Sequence, residues 1–316
     1  MNRRAKSALL LTIILVMASG LLVNSHFGDS SIAKNRLVVA TTTSTVDSGL
    51  LSYLKPYFDS KYNLDLTWLR LGSGQAVEVA SRGDADILLV HDRSREDSLV
   101  DAGKGTLRIT VMYNDFVLIG PASDPAGVIG QNASVAMATI ATSNSSYKAV
   151  FISRGDGSGT HSLEKRLWSE AGIENYVGAP WYLSAGSGMA DVIRIANEMG
   201  GYTIADRATY LALKSTMKEN LGLVVLCEKD PALLNPYGIV LLNSTRYPNI
   251  HYDWALDFLL FLVSDEGQSL ISNYTIAGEQ VFFPIFGCPE AIGLPSEEVA
   301  VSYIYSLLSV KGMSDR

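Results

Sequence analysis

Five strand and helix signatures alternate between Arg36 and Val90, and this alternation restricts the chain to α/β architectures more than any other feature. Arg36–Ala40 is a short β-branched run. Val46–Tyr62 then repeats apolar residues at helical spacing (Leu50, Leu51, Leu54, Tyr57, Phe58). Leu64–Leu69 alternates like a strand, Gly74–Arg82 is helical, and Ala85–Val90 is a continuous apolar run. Strands so closely interleaved with helices predict a parallel sheet covered on both faces. Further strands are expected at Arg108–Tyr113, Phe116–Gly120, Ala149–Ser153, Gly201–Ala205, Leu223–Cys227 and Gly238–Leu242. Helices are expected at Ser158–Ala171, Gly188–Met199, Arg207–Leu213 and His251–Tyr274, the last broken near Ser264-Asp265. The absence of a repeat of 20–50 residues disfavours a solenoid.

Two breaker clusters, Gly120–Asn132 and Asp230–Tyr237, separate a second α/β pattern from the first and predict two lobes. The expected organisation is lobe 1 over 36–120 plus 237–286, lobe 2 over 121–236, and a helical C-terminal extension over 287–316. Residues 1–30 have a different character. Arg3, Arg4 and Lys6 precede an apolar stretch from Ala8 to Val23, shorter than the roughly 20 residues of a membrane span. This reads as a signal peptide or an N-terminal anchor, and it places the rest of the chain outside the cytoplasm, secreted or held at the outer face of the membrane. The sequons at Asn132, Asn144, Asn243 and Asn273 matter only in that setting. Cys227 and Cys288 are open to one disulfide there, or to two buried thiols, and are too few for a disulfide scaffold or a Cys₄ metal site.

Polar, glycine-bearing loops recur where strands hand over to helices. Thr41-Thr42-Thr43-Ser44-Thr45 follows the first strand, and five hydroxyls exceed what a helix cap needs, so with the first-turn amides they form a candidate anion cradle. Gly72-Ser73-Gly74-Gln75 opens the next helix. Arg154-Gly155-Asp156-Gly157-Ser158-Gly159-Thr160-His161 is the richest segment, joining a guanidinium fork to the hydroxyls of Ser158 and Thr160. Ser184-Ala185-Gly186-Ser187-Gly188 would be a fourth donor loop. Asp156 is acceptor-only, so pointing it at an anion would repel; it is expected to brace Arg154 or to cap the helix.

The net charge of −7 implies no phosphate-neutralising surface, so a nucleic-acid partner is not expected. Affinity for an anion must come from local donors. Six or seven charge-assisted hydrogen bonds at about 1.5–3 kcal/mol each give roughly 10–20 kcal/mol gross, against ~12 kcal/mol for nanomolar binding. An enzyme is not expected. No Ser has glycine two residues away on both sides, and no Gly-x-x-x-x-Gly-Lys-Ser/Thr occurs. His161 fits a structural first-turn role, and His91-Asp92 lacks the partner spacing of a metal site.

Several segments carry a resemblance to a family. Ala40–Thr45 with Asp47–Leu51, Gly83–Asp92, Val111–Val117, Ser153–His161, Ala205–Lys214 and Asp230–Gly238 together resemble the tungstate-binding (TupA-type) extracytoplasmic proteins of ABC importers, in order from about Arg36 to Pro284. The resemblance implies a type II periplasmic-binding-protein fold, two α/β lobes with a hinge cleft. It implies a cleft for a tetrahedral oxyanion, tungstate or molybdate, without cofactor or cation, held by Thr42, Thr43, Ser44, Ser73, Arg154, Ser158, Gly159, Thr160, Ser187 and Gly188. The partner would be an ABC permease and the receptor a monomer. Phosphate or sulfate is the rival ligand, and an oxyanion sensor without a transporter is the rival role. Phosphate keeps a proton at neutral pH and needs a carboxylate acceptor, so the placement of Asp156 bears on that choice. Ala205 stands where the family pattern has a hydroxyl residue, and the chain after Phe286 extends past the family's usual end, as a helix over Glu297–Val310.

Overall fold

The computed structural model describes residues 35–143 and 149–311, and all but Asn35 belong to one unit, Arg36–Arg316. The export segment expected at 1–30 and the Asn144 sequon lie outside the described residues. Strand β1 (Asn35–Thr42) passes directly into helix α1 (Thr43–Asp47), which is followed by α2 (Leu50–Tyr62). One helix was expected over Val46–Tyr62. The break falls at Gly49, whose φ of 82° is left-handed and where a Cβ would lie 2.6 Å from the Tyr274 hydroxyl. Helix α2 buries Leu50, Leu51, Leu54 and Phe58, each contributing about 1.5–3 kcal/mol.

Then come β2 (Leu64–Leu71), α3 (Ser73–Arg82), β3 (Ile87–Val90), α4 (Arg93–Asp101) and β4 (Gly105–Pro121). After β4 follow α5 (Ala133–Thr142), β5 (Phe151–Ser153), α6 (Gly159–Glu170), β6 (Tyr182–Ser184), α7 (Met189–Met199) and β7 (Thr203–Asp206). The chain continues through α8 (Arg207–Met217), β8 (Leu223–Cys227), β9 (Leu234–Leu242), α9 (Tyr252–Val263) and α10 (Asp265–Asn273). The short strands β10 (Thr275–Ile276), β11 (Glu279–Gln280) and β12 (Phe283–Pro284) precede α11 (Glu298–Val310). The break expected near Ser264-Asp265 is present: Ser264 ends α9 and its hydroxyl caps α10 by accepting from the Gly267 amide.

The sheet is mixed rather than parallel throughout. Strands run in the order β12-β4-β9-β3-β1-β2; β1 pairs parallel with β3, whereas β9 is antiparallel to both β3 and β4. The two strands expected at Arg108–Tyr113 and Phe116–Gly120 are one, because Asn114 and Asp115 stay paired with Asn235 and Leu234 of β9. From Phe116 onward the same strand pairs with β7 and β8 instead. A single 17-residue strand thus serves two neighbouring α/β arrays, the architecture of a two-lobe periplasmic-binding fold. One hydrophobic cluster packs α2, α9 and α7 onto the sheet, and a second gathers Phe116, Met137, Phe151, Trp168, Trp181 and Tyr202.

Helix α11 sits on the first of these clusters through Ile304 and Leu308, whereas Val299 is 88% exposed. Glu297, just before the helix, is buried and accepts from the Thr110 amide at 2.8 Å and from Arg93 at 2.9 Å, and it pairs with Arg108. Arg108 also pairs with buried Glu96 at 2.8 Å. Cys227 and Cys288 are both free thiols: Cys227 is buried and its Sγ donates to the Val128 carbonyl, while Cys288 is exposed, so neither the disulfide nor a pair of buried thiols describes them. Burial pushes the Cys227 thiol up to about 11.

Candidate ligand-binding site

Four of the strand-to-helix loops meet at one cleft of about 880 Å³. The first is the threonine run. Thr41 faces inward and donates to the Leu89 carbonyl at 2.7 Å. Thr42 is also buried: its Oγ1 caps α1 by accepting from the Thr45 amide and lies 2.7 Å from Thr45 Oγ1. Thr43 and Ser44 line the cleft, so two of the five hydroxyl residues reach it and the others anchor the loop.

In the second loop, Gly72 precedes α3 and its amide donates to the Gln75 side chain; Gly72, Ser73, Gly74 and Gln75 all line the cleft. In the third, Ser158 caps α6 by accepting from the His161 amide at 3.4 Å and lines the cleft with Arg154. The Arg154 guanidinium is buried. Its Nε and Nη2 donate to Asp156 Oδ2 at 3.1 and 2.6 Å, and its Nη1 donates to Thr160 Oγ1 at 3.4 Å. Among the described residues its other two N–H groups make no hydrogen bond. The fourth loop contributes Gly188, at the cap of α7, with Met189, Ala190 and Asp191 beyond it. Helices α3, α6 and α7 therefore all begin at the cleft, with their free amides and positive dipole ends concentrated there.

Of the ten residues expected in the site, Thr43, Ser44, Ser73, Arg154, Ser158 and Gly188 line the cleft. The other four are not on its lining. Thr42 is the buried cap already described, and Thr160 is buried against Arg154. The Ser187 hydroxyl turns away to donate to the Ala185 carbonyl at 3.2 Å, because its amide is held by the Arg154 carbonyl. Gly159 is required by space, not by backbone conformation: a Cβ there would lie 2.8 Å from His91 Cε1. Asp156 is tied to Arg154. Burial alone would raise its carboxyl, but the Ser158 hydrogen bond and the Arg154 charge hold it below the usual range. His161 Nδ1 accepts from the Gly157 amide at 3.0 Å, a structural use that keeps the ring in the loop.

Other residues at the cleft were not among the expected ligands. Arg70 pairs with Asp47 at 2.6 Å on one rim, and α8 supplies Thr209, Ala212, Leu213 and Thr216. His91, at the end of β3, lies behind the threonine run with Nε2 3.3 Å from both Thr42 Oγ1 and Ser44 Oγ. Desolvation, reinforced by the nearby Arg154 charge, lowers its pKa to about 4. The ring also bonds to the Asn235 side chain, and Asn235 Nδ2 donates to Asn114 Oδ1 at 2.7 Å. Asn114 Nδ2 then donates to Asp206 Oδ2 at 2.7 Å, and Asp206 caps α8. Desolvation raises the Asp206 carboxyl to about 6. Among the described residues, no cluster of three or more His, Cys, Asp or Glu could hold a metal ion.

A cleft between two α/β arrays, walled by helix N-termini and one buried arginine, defines a substrate-binding protein of the periplasmic-binding class. Known proteins place it within that class. A PBP superfamily domain model matches residues 28–266. The tungstate-binding protein TupA of Peptoclostridium acidaminophilum is 45% identical over 77% of this chain and 82% of its own. A putative ABC transporter anion-binding protein of Haloferax volcanii is 43% identical over 82% of this chain and 74% of its own. The solved structure of TupA from Desulfovibrio alaskensis superimposes with a TM-score of 0.74 at 41% identity, covering 80% of this chain and 99% of that one. The chain belongs to the TupA family of substrate-binding proteins in the PBP superfamily.

Proposed function

We propose that this chain is the extracytoplasmic receptor of an ABC importer that encloses one tetrahedral oxyanion, tungstate foremost and molybdate second, and presents it to a membrane permease. The observation that carries this reading is the convergence of three helix N-termini and the Arg154 guanidinium on one cleft. The names of its relatives support it, since two are tungstate-binding and one is anion-binding. The ligand set is Thr43, Ser44, Ser73, Arg154, Ser158 and the first amides of α6 and α7. No covalent chemistry is needed of it.

The Asp156 carboxylate bears on the choice of anion. A hydrogen phosphate brings a proton that needs an acceptor, whereas tungstate, molybdate and sulfate do not. With Asp156 held by Arg154, the cleft favours the fully ionised anions. The hinge is assigned to β4 and the return into β9, with lobe 1 over 36–120 and 237–286, lobe 2 over 121–236, and the C-terminal extension packed on lobe 1. The receptor acts as a monomer, held near the permease or released according to the fate of residues 1–30. Among the described residues no helix is long and apolar enough to cross a membrane.

Calorimetric titration with tungstate, molybdate, sulfate and phosphate tests the assignment. The expected order places tungstate tightest, at a submicromolar constant and about −8 kcal/mol or better. No heat with any of the four would overturn the reading.

A further inference from the structure

His91 lies in the Gly83–Asp92 segment, beside the hydroxyl run, but it is not on the cleft lining and the resemblance gives it no role. It stands behind the wall with Nε2 within 3.3 Å of both Thr42 Oγ1 and Ser44 Oγ, and those two oxygens are themselves 3.0 Å apart. These three contacts form a triangle, and counting its protons decides what Ser44 can do. Each hydroxyl owns one proton and the neutral ring owns one, on either Nε2 or Nδ1.

If Nε2 carries no proton, it accepts from Thr42 or from Ser44, and the proton that remains can serve the Thr42–Ser44 contact or a ligand but not both; Thr45, 2.7 Å from Thr42 Oγ1, meets that contact with a proton of its own. If Nε2 carries the proton, the ring supplies its own contact, Thr42 donates to Ser44, and the Ser44 proton is free. A ligand hydroxyl that faces an anion must have that free proton. Ser44 lines the cleft and Thr42 does not, so the arrangement has a direction: ring to hydroxyl pair to cleft.

We propose that His91 is a positioning residue for the oxyanion, a neutral imidazole whose Nε2–H donates to the Thr42–Ser44 pair and so turns the Ser44 hydroxyl proton into the cleft. This rests on the oxyanion-binding reading above and names how one of its donors is oriented. The ring is fixed on its other sides. The Tyr237 ring lies 5.0 Å away. Its Cε1 edge faces Gly159, at the start of α6, so closely that any side chain there would collide. The imidazole therefore touches the walls on both sides of the cleft, and its orientation and the packing of α6 against β3 depend on each other. An uncharged ring is what burial beside Arg154 favours.

Calorimetry with tungstate on the full chain tests this with His91→Leu, His91→Gln, Ser44→Ala and the double Ser44→Ala/His91→Leu. Removing the ring donor is expected to weaken binding about tenfold or more, the scale of one hydrogen bond to a charged ligand. Glutamine, which extends an N–H donor to about the position of Nε2, should recover most of that loss. In the Ser44→Ala background, His91→Leu should add almost nothing, because the proton it orients is gone. Equal affinity of His91→Leu and the parent, or losses at the two positions that multiply, would overturn the proposal.

Should His91→Leu fail to fold, the ring tautomer read by nitrogen NMR in the unsubstituted protein decides instead. An Nε2–H tautomer is expected with and without tungstate, and an Nδ1–H tautomer refutes the assignment. If the parent binds no oxyanion at all, the functional reading falls, while the tautomer measurement still judges His91 by itself.

Discussion

Arg154 and Asp156 form a charged pair on the cleft lining, and its behaviour under substitution is predicted by simple electrostatics. The guanidinium uses Nε and Nη2 on Asp156 and Nη1 on Thr160, leaving two N–H groups for the ligand. Each is worth about 1.5–3 kcal/mol to a charged acceptor, so Arg154→Ala should cost roughly 3–6 kcal/mol of affinity. A second effect adds to this. The substitution strands the Asp156 carboxylate, still hydrogen-bonded by Ser158 but no longer neutralised, beside a doubly negative guest. Two like unit charges 4 Å apart repel by about 4 kcal/mol at an effective dielectric of 20. Arg154→Ala alone should therefore lower tungstate affinity by about a thousandfold or more. Asp156→Asn keeps an acceptor for the Ser158 amide and removes the repulsion, so the double variant should bind at least about tenfold more tightly than Arg154→Ala. In the parent background, where the charge is already compensated, Asp156→Asn should change little. Calorimetry on the four proteins closes the cycle, with thermal melting to confirm folding. Effects that add to within about 0.5 kcal/mol would refute the pairing, and Arg154→Ala binding within tenfold of the parent would place the oxyanion elsewhere.

Three further outcomes follow from packing and charge. At Gly159, alanine would put Cβ 2.8 Å from His91 Cε1; at about 1–3 kcal/mol for overpacking, Gly159→Ala should weaken tungstate binding about fivefold to a hundredfold in the same titration. Glu297→Ala should destabilise the chain by about 3–5 kcal/mol in urea unfolding, because it leaves buried Arg108 short of a partner, without altering oxyanion affinity. The pH dependence of stability isolates His91. Its pKa falls from 6.5 in the unfolded chain to about 4 in the folded one, so between those values the unfolded chain binds more protons and stability is lost as pH falls. His91→Gln should gain on the parent by up to about 3 kcal/mol between pH 7 and pH 4, and a constant difference across that range would disprove the shift.

The parts of this molecule that sequence reveals are those where local chemistry and global role coincide. The alternation from Arg36 to Val90 marks β1, β2, β3 and the helices between them because each buries a continuous or periodic apolar face. The break at Ser264 is legible because a serine before two acidic residues is a cap whatever surrounds it. Helix α4 is not legible: of Arg93–Asp101 only Glu96 and Leu99 are buried, and Glu96 is there to meet Arg108. The long strand β4 hides behind Asn114 and Asp115, which look like a turn and are instead a buried amide and an ion-paired carboxylate. In the site, loops that carry glycines and hydroxyls at helix starts are visible because an anion needs backbone approach and free amides. His91 is not, since a lone histidine after a strand gains its meaning only from Thr42 and Ser44, forty-seven to forty-nine residues away. Thr160 and Ser187 show the converse: a hydroxyl in a donor-rich loop can serve the loop itself.

The charges along the cleft explain why an acidic chain suits an anion receptor. Asp47 pairs with Arg70, Asp156 with Arg154 and Asp191 with Arg194, so every carboxylate on the lining is matched by a guanidinium. The lining thus offers an incoming dianion little net charge. What it offers is directed dipoles: the first amides of α3, α6 and α7 and the hydroxyls of Thr43, Ser44, Ser73 and Ser158. Dipoles discriminate by geometry, whereas a surplus of cations would hold any anion and release it poorly. They act strongly only once water is excluded, so affinity should appear on closure and vanish on opening. A receptor that must surrender its cargo to a permease needs that dependence, and a cleft with paired side-chain charges and unpaired amides supplies it.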